Sequence, residues 1–483
     1  MNPKAFRHIA IVVLGALALT HCAQNPVTGD KDFVLMSEQQ EIELGAQAHQ
    51  DVLKEYAALD NPALQAYVSE VGERLAGQSQ RPHLDWHFTV VDSPDVNAFA
   101  LPGGYVYLTR GIMTYLNSEA ELAGVLGHEI GHVTARHGVR QHSASTAAGL
   151  GAVLGSILVP GMGNQAGATL LQTLAQAWTA GYGREHELES DRLGAEYLAK
   201  TGYNPQAMID VIGVLKNQEL FAAEQAKGDG RPPRTYHGTF ETHPSNDKRL
   251  KQVVAAANPY IVANPREGRS DYLQKMAGVY FGDSPDQGLI RNNMLLHEKL
   301  GLAVQFPPGW RVQNRPDRVV ATNPQGDALV ELQQGPKSDK PLETLQKGIK
   351  LDPGARYDSG KLSGYPAAFA AGAQAGKPVV VAAVVFSGTQ YLIAGMARDK
   401  PAYDRERATL RAAINSFRAI TPAERRAARP YVLKLVTAQP DTTMARLARQ
   451  SPLGADAESQ LRLMNALYPS GEPKAGQLLK IVQ

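Results

Sequence analysis

The chain has 483 residues, of which 43% are apolar and 20% charged, enough for two to four globular domains with buried cores. Its formal charge is +2, with acidic and basic residues interleaved throughout. That balance leaves no electrostatic footprint for nucleic acid, and nucleic-acid binding is set aside.

At the N-terminus, Lys4 and Arg7 precede an apolar run from Ile9 to Leu19, followed by the only cysteine, Cys22. This is the build of a secretion signal, too short for a comfortable transmembrane span. A solitary cysteine in an exported protein cannot close an internal disulfide, and lipid attachment accounts for it. The stretch "LTHC" resembles a bacterial lipobox, with His21 departing from the small residue usual at that position. The resemblance implies lipidation of Cys22, and Ala23 after it implies the outer membrane facing the periplasm. An uncleaved anchor helix and a plain signal peptide are the alternatives.

Ser37 and Gln40 have the spacing of a capping box and open a helix through "SEQQEIELGAQAHQDVLKEY". A second helix covers "NPALQAYVSEVGERLAG". The segment "LDWHFTVVDS" alternates as a strand does, and "NAFALPGGYVYLTRGIM" reads as two strands around a Pro-Gly-Gly turn. In "NSEAELAGVLGHEIGHVTARHG", Ser118 and Glu121 form another capping box, and Leu122, Val125, Leu126, Ile130 and Val133 keep a helical period. This helix ends near Gly138 in the sequence pattern.

Two of its three histidines, His128 and His132, stand four apart, about 40° around the axis and about 6 Å along it. His137, nine past the first and five past the second, falls off their face. So placed, His128 and His132 can each turn one nitrogen to a common point, as two of zinc's tetrahedral ligands require. Glu129 projects beside them, where a carboxylate can take a proton from a metal-activated water without being a ligand. With 13 histidines in the chain, chance alone would give His-Glu-x-x-His in roughly 2% of such sequences, so the motif needs support elsewhere.

From Gln141 to Gly183 the chain has no Asp, Glu, Lys or Arg, but Pro160, Asn164 and many small residues interrupt it. Two small-residue helices forming a lid over the site are expected, with a membrane hairpin as the alternative. Beyond it, "REHELESDRLGAEYLAKTGYNP" is again helical. Catalytic zinc needs a third protein ligand and an open position. Glu187 and Asp191, four apart on one face, can divide the work of ligand and hydrogen-bond acceptor for a ligand histidine. Glu185 and Glu189 are rivals for the ligand, and His186 a weaker one.

Three separated motifs, "NAFALPGG", "HEIGH" and "REHELESD", resemble the HtpX and BepA-like branch of the gluzincin metallopeptidases, over about Asn25 to Leu250. The resemblance implies one zinc ion per chain on His128, His132 and Glu187, with Glu129 as general base and Asp191 behind a ligand histidine. It also implies that Asn97, Ala98 and Phe99 belong to an edge strand aligning an extended substrate, which physically requires only unpaired backbone groups. "THPSNDKRL" matches a family element in which His243 reaches the open metal position as a latch, or assists the transition state together with Arg249.

A linker around "FGDSPDQG" closes this unit near residue 285. The segments "GLAVQFPPGWRV", "RVVATNPQGDALVELQQ" and "KPVVVAAVVFSGTQYLIAG", with the helix "YDRERATLRAAINSFRAI", predict a small α+β domain with an antiparallel sheet, loosely resembling PsbP/Mog-type domains. The tail from "YVLKLV" through "PDTTMARLAR" and "LMNAL" to "KAGQLLKIV" resembles a LysM module, which implies a glycan-binding or a purely structural role.

The expected layout is an α+β multidomain chain: signal peptide 1–22, a mainly helical zincin-type peptidase domain with a small sheet at 23–285, an α+β accessory domain at 286–422, and a LysM-like domain at 423–483. The expected function is a periplasmic, lipid-anchored zinc endopeptidase acting on misfolded or mis-assembled envelope proteins. A latent peptidase serving as a chaperone or cell-wall binder, and a cell-wall peptide hydrolase using peptidoglycan as substrate, are the alternatives.

Overall fold

The computed structural model describes residues 22–34, 36–141, 143, 183–228, 255 and 263–483. They form a mixed α+β protein that divides into two compact units. One holds the described parts of 1–53 and 58–279 together with Leu433–Gln483, and the other holds Tyr280–Val432 with Lys54–Ala57.

The first unit opens on helix α1, Glu38–Glu55. The capping box expected at its start is present: Gln40 N–H donates to Ser37 Oγ, and Ser37 N–H donates to the Gln40 side chain. Helix α2, Pro62–Ala76, starts with Asn61 accepting from Leu64 N–H and Pro62 in the first turn, where its missing donor costs nothing. Strands β1 (His87–Val91), β2 (Ala98–Leu101) and β3 (Tyr105–Thr109) form a sheet in the order β1-β3-β2. The β2–β3 pair is antiparallel, joined by the Pro102-Gly103-Gly104 turn. Both glycines take positive φ, and a side chain on Gly103 would run into the backbone of Ile42 at 2.8 Å. The turn thus docks on α1 in a way only glycine permits.

Helix α3, Arg110–Tyr115, follows directly, and helix α4, Glu119–Thr134, carries the paired histidines. Ser118 caps α4 by accepting from Glu121 N–H, while the Glu121 carboxylate takes the N–H of Asn117, one residue further back than in the usual box. Every residue of α4 except His128 is buried. An all-round buried helix is a core element, whose stability comes from packing on every side. Helices α5 (Arg184–Lys200), α6 (Ala207–Gly228) and α7 (Arg269–Met276) complete this part.

The C-terminal stretch Leu433–Gln483 belongs to the same unit. Strand Leu478–Val482 pairs antiparallel with Leu433–Thr437, with helices Met444–Ala448 and Ala457–Met464 between them. Leu433 also exchanges backbone hydrogen bonds with Gly278 and Val279 just after α7, at 2.8 and 2.9 Å. The strand sends fully buried Lys480 against the C-terminal end of α3, just before α4, where its ammonium donates to the carbonyls of Thr114 and Leu116. Tyr115 donates to Gln460, and Arg269 bridges the carbonyls of Asn117 and Leu478.

The second unit contains the antiparallel sheet expected from its alternating segments. Seven strands run in the order Arg311–Asn314, Arg318–Thr322, Ala328–Gln334, Thr389–Ala397, Lys377–Phe386, Tyr365–Gln374 and Arg356–Leu362. Helix Lys400–Asn415, capped by Asp399, contributes Leu410, Ala413 and Ile414 to a core with Val330, Ala382, Ile393 and Phe417. Leu345, Ala368, Val381 and Ala383 build a separate cluster.

Among the described residues, no helix is long and apolar enough to cross a membrane. Residues 144–182, where the sequence predicts a lid or hairpin, lie outside the described residues, as do most of the signal segment, His243 and Arg249. Cys22 stands in a short strand, Cys22–Gln24, paired antiparallel with Lys31–Phe33.

Candidate metal centre

The site is built where α4 and α5 approach closely. A Cβ on Gly127 would come within 3.2 Å of Gly194 Cα, and one on Gly131 within 3.0 Å of Ser190. The glycine before each histidine of "LGHEIGH" thus faces the small residues Ser190 and Gly194 of the other helix. With no side chains to separate them, the backbones come near enough for the short carboxylates of α5 to reach the histidines of α4.

That approach gathers His128, His132 and Glu187, each offering one ligand atom within 4.8 Å of the others. Nε2 of His128 and Nε2 of His132 lie 3.0 Å apart. Glu187 places Oε1 3.3 Å from His132 Nε2 and Oε2 3.6 Å from His128 Nε2. Ligands at 2.0–2.1 Å around a tetrahedral ion would be separated by about 3.3 Å, so the donor set fits zinc in size and type. Asp191 lies behind His128, with Oδ1 2.8 Å from Nδ1. An ionised carboxylate only accepts, so that contact puts the ring proton on Nδ1 and leaves the Nε2 lone pair facing the cluster. Glu187 is fully buried, and Glu129, on the same helix as the histidines, is only 1% exposed.

Sequence spacing places His137 off the metal face, five residues past His132. The structure brings it back. Helix α4 stops at Thr134, and Arg136 adopts a left-handed conformation at φ 58°. The chain turns there and starts a new helical turn at His137. Fully buried, His137 sets its Nδ1 2.8 Å from Nδ1 of His132 and its Nε2 3.0 Å from Glu189 Oε2. One uninterrupted helix would turn His137 away, but the helix breaks at Ala135-Arg136, a pair with no glycine to announce the break. Arg136 is held in this turn by Glu41, which accepts at 2.8 Å from Arg136 and also from Arg81.

Of the rivals to Glu187 for the third ligand position, Glu189 turns to His137 and Arg140, whose hydrogen bonds hold its carboxyl down at about 2. His186 stacks on His137 with ring centroids 4.2 Å apart, and burial pushes its imidazole down to about 4. Glu185 is exposed.

Asn97 directly precedes β2, and Ala98 and Phe99 are its first two residues. That strand pairs with β3 on one side and, among the described residues, with no strand on the other. Thr109 N–H donates to Asn97 O, Ala98 is buried, and Phe99 stacks on Tyr107 at 4.8 Å.

A helix-borne His-Glu-x-x-His pair joined by a glutamate from a second helix is the donor set of a metallopeptidase, three side chains that could hold one metal ion. Residues 62–257 match the family model described as Peptidase family M48. The chain is 34% identical over 266 residues to the beta-barrel assembly-enhancing protease of Yersinia pestis, covering 51% of this chain and 52% of that protein. It is 32% identical over 209 residues to the mitochondrial metalloendopeptidase OMA1 of Arabidopsis thaliana, covering 42% and 38% respectively. The chain thus spans about half the length, or less, of these curated relatives. Among solved structures, cyanobacterial PsbP from Synechocystis is similar over 29% of this chain and 98% of its own, with 11% identity and a TM-score of 0.21, too slight a likeness to assign a fold.

Proposed function

We propose that this chain is a zinc-dependent endopeptidase of the bacterial envelope that cuts misfolded or mis-assembled outer-membrane or periplasmic proteins. The observation that carries the reading is the convergence of His128, His132 and Glu187, with Asp191 fixing the ring of His128. These three residues would hold one zinc ion, which would polarise the scissile carbonyl and make a water acidic enough to lose a proton near neutrality. Glu129 would serve as the general base, accepting a proton from the attacking water and returning it to the leaving amine. Its near-complete burial keeps bulk water from competing for the transfer. By the resemblance of "NAFALPGG", β2 is read as the strand that aligns an extended substrate through backbone hydrogen bonds, a mode that makes little demand on side chains.

The envelope substrate class rests on the name of the Yersinia pestis relative, and the location on the signal-like N-terminus with a lipid on Cys22. His243 is read as a latch on the open metal position and Arg249 as its transition-state neighbour, both from the resemblance of "THPSNDKRL". The LysM-like tail would supply a contact to peptidoglycan.

The test incubates the zinc-loaded chain with an unfolded outer-membrane protein and, separately, with peptidoglycan, alongside Glu129→Gln. Cleavage of the protein by wild type, lost in Glu129→Gln with zinc still bound, is the expected outcome. Cleavage of peptidoglycan peptides alone would replace this reading with a cell-wall hydrolase. Wall binding without any cleavage would replace it with a latent, binding protein.

A further inference from the structure

The two histidines of the pair are backed differently. His128 meets the carboxylate of Asp191 directly, at 2.8 Å. His132 meets another imidazole: Nδ1 of His137, also at 2.8 Å. We propose that His137 and Glu189 are a positioning relay for His132, with His137 Nδ1 accepting the Nδ1–H of His132 and His137 Nε2–H donating to Glu189. This rests on the peptidase reading above and names residues that the shared motifs leave without a role.

The direction of the relay follows from what each atom can do. Two ring nitrogens 2.8 Å apart need one proton between them. Glu189, paired with Arg140 at 3.0 Å, can only accept, so the proton of His137 lies on Nε2, 3.0 Å from Glu189 Oε2. A neutral His137 then presents a lone pair at Nδ1, and the proton in the contact belongs to His132. The remaining nitrogen of His132, Nε2, carries its lone pair toward Glu187 and His128. Ser190 Oγ lies 3.3 Å from the same nitrogen of His137, farther than His132 Nδ1, and shares its single lone pair only as a weaker, longer contact. Each ligand histidine is therefore held in the same tautomer, one by a carboxylate and the other by a carboxylate acting through an imidazole. The left-handed turn at Arg136, pinned by Glu41, is what puts His137 within reach.

A buried histidine can also be mere packing, and the two roles rank substitutions oppositely. Leucine fills the site but accepts no hydrogen bond. Asparagine leaves a gap, yet its Oδ1 can stand in for Nδ1 as an acceptor. The experiment measures zinc dissociation constants of the full chain by competition with a chromophoric chelator, for wild type, His137→Leu, His137→Asn and Glu189→Ala, with thermal melts of the metal-free proteins as the check on folding. His137→Leu is expected to weaken zinc about 10–100-fold, the usual cost of losing an outer partner of a ligand histidine. His137→Asn should recover most of that loss, and Glu189→Ala should show a smaller loss in the same direction. A folded His137→Leu that binds zinc as wild type does, or an asparagine variant weaker than the leucine one, overturns the relay. Should His137→Leu fail to fold, Glu189→Ala decides, and wild-type affinity in it overturns the relay. A wild type that binds no zinc overturns the peptidase reading itself, a distinct result.

Discussion

The two stretches after residue 279 look alike in sequence, each an appended small module, yet they have different physical status. Residues 280–432 own their cores: the seven-stranded sheet and the helix Lys400–Asn415 bury Val330, Ile393, Leu410 and Phe417 among themselves. Residues 433–483 are instead part of the peptidase unit. They spend a buried lysine on the carbonyls of Thr114 and Leu116, at the entrance to the helix that carries His128 and His132. One is an insertion with its own fold; the other is a brace on the metal helix. Because Gly278 and Val279 bond directly to Leu433, the peptidase unit is left and re-entered at neighbouring residues, the geometry in which domain insertions are tolerated.

The strongest way to break this comparison is deletion. Ending the chain at Val432 should leave a peptidase unit that aggregates or shows no cooperative melt. Excising 280–432 and bridging Val279 to Leu433 with a short glycine linker should leave a soluble unit with a cooperative transition. Equal tolerance of both deletions, read by calorimetry, would erase the distinction. Next in size, zinc at 100 times its dissociation constant should stabilise the peptidase unit by about 2.7 kcal/mol. The transition of residues 280–432 should stay in place, and chelation should reverse the effect. If zinc moves both transitions together, the units are not independent.

A smaller effect is expected from Lys480→Met. It strips the donors from two buried carbonyls and should cost about 1–3 kcal/mol in the peptidase transition only, seen as an earlier denaturant midpoint at unchanged slope. The smallest concerns the inserted unit. Glu424 accepts from Arg418 and from Thr421 N–H, and the arginine pairing holds its carboxyl at about 2 against the ordinary 4.5. A depressed folded value means that its contribution is fully present above pH 4.5 and is lost as the pH falls toward 2. The pair is largely solvent-screened, so Glu424→Gln should flatten the acid limb of that unit by only about 0.5 kcal/mol.

Much of the site was legible because its rules are local. The spacing of His128 and His132 fixes their common face, and Ser118 caps the helix as its sequence predicts. Glu187 and Asp191 are paired by the same i,i+4 argument on a second helix, with the choice over Glu185 and Glu189 left to the family resemblance, and the structure sets both beside the histidines. What the pattern did carry, unread, is the glycine before each histidine: Gly127 and Gly131 meet Ser190 and Gly194 across the helix pair. Small residues four apart on both helices are a signal of close approach. The role of His137 was not legible, since a helical wheel continued past Thr134 turns that residue away from the site.

By itself the sequence determined the metal-binding helix, the candidate ligands and the run of strands and helices in the later segments, because capping, periodicity and i,i+4 geometry act within a few residues. Only the tertiary structure decided that His137 lies behind His132 and that Lys480 braces the end of α3 just before α4. The first depends on one left-handed residue, Arg136, held by Glu41 from a helix 95 positions earlier in the chain. The second depends on hydrogen bonds spanning 366 and 364 positions. Contacts of that range are chosen by how whole elements pack, and no local pattern encodes them.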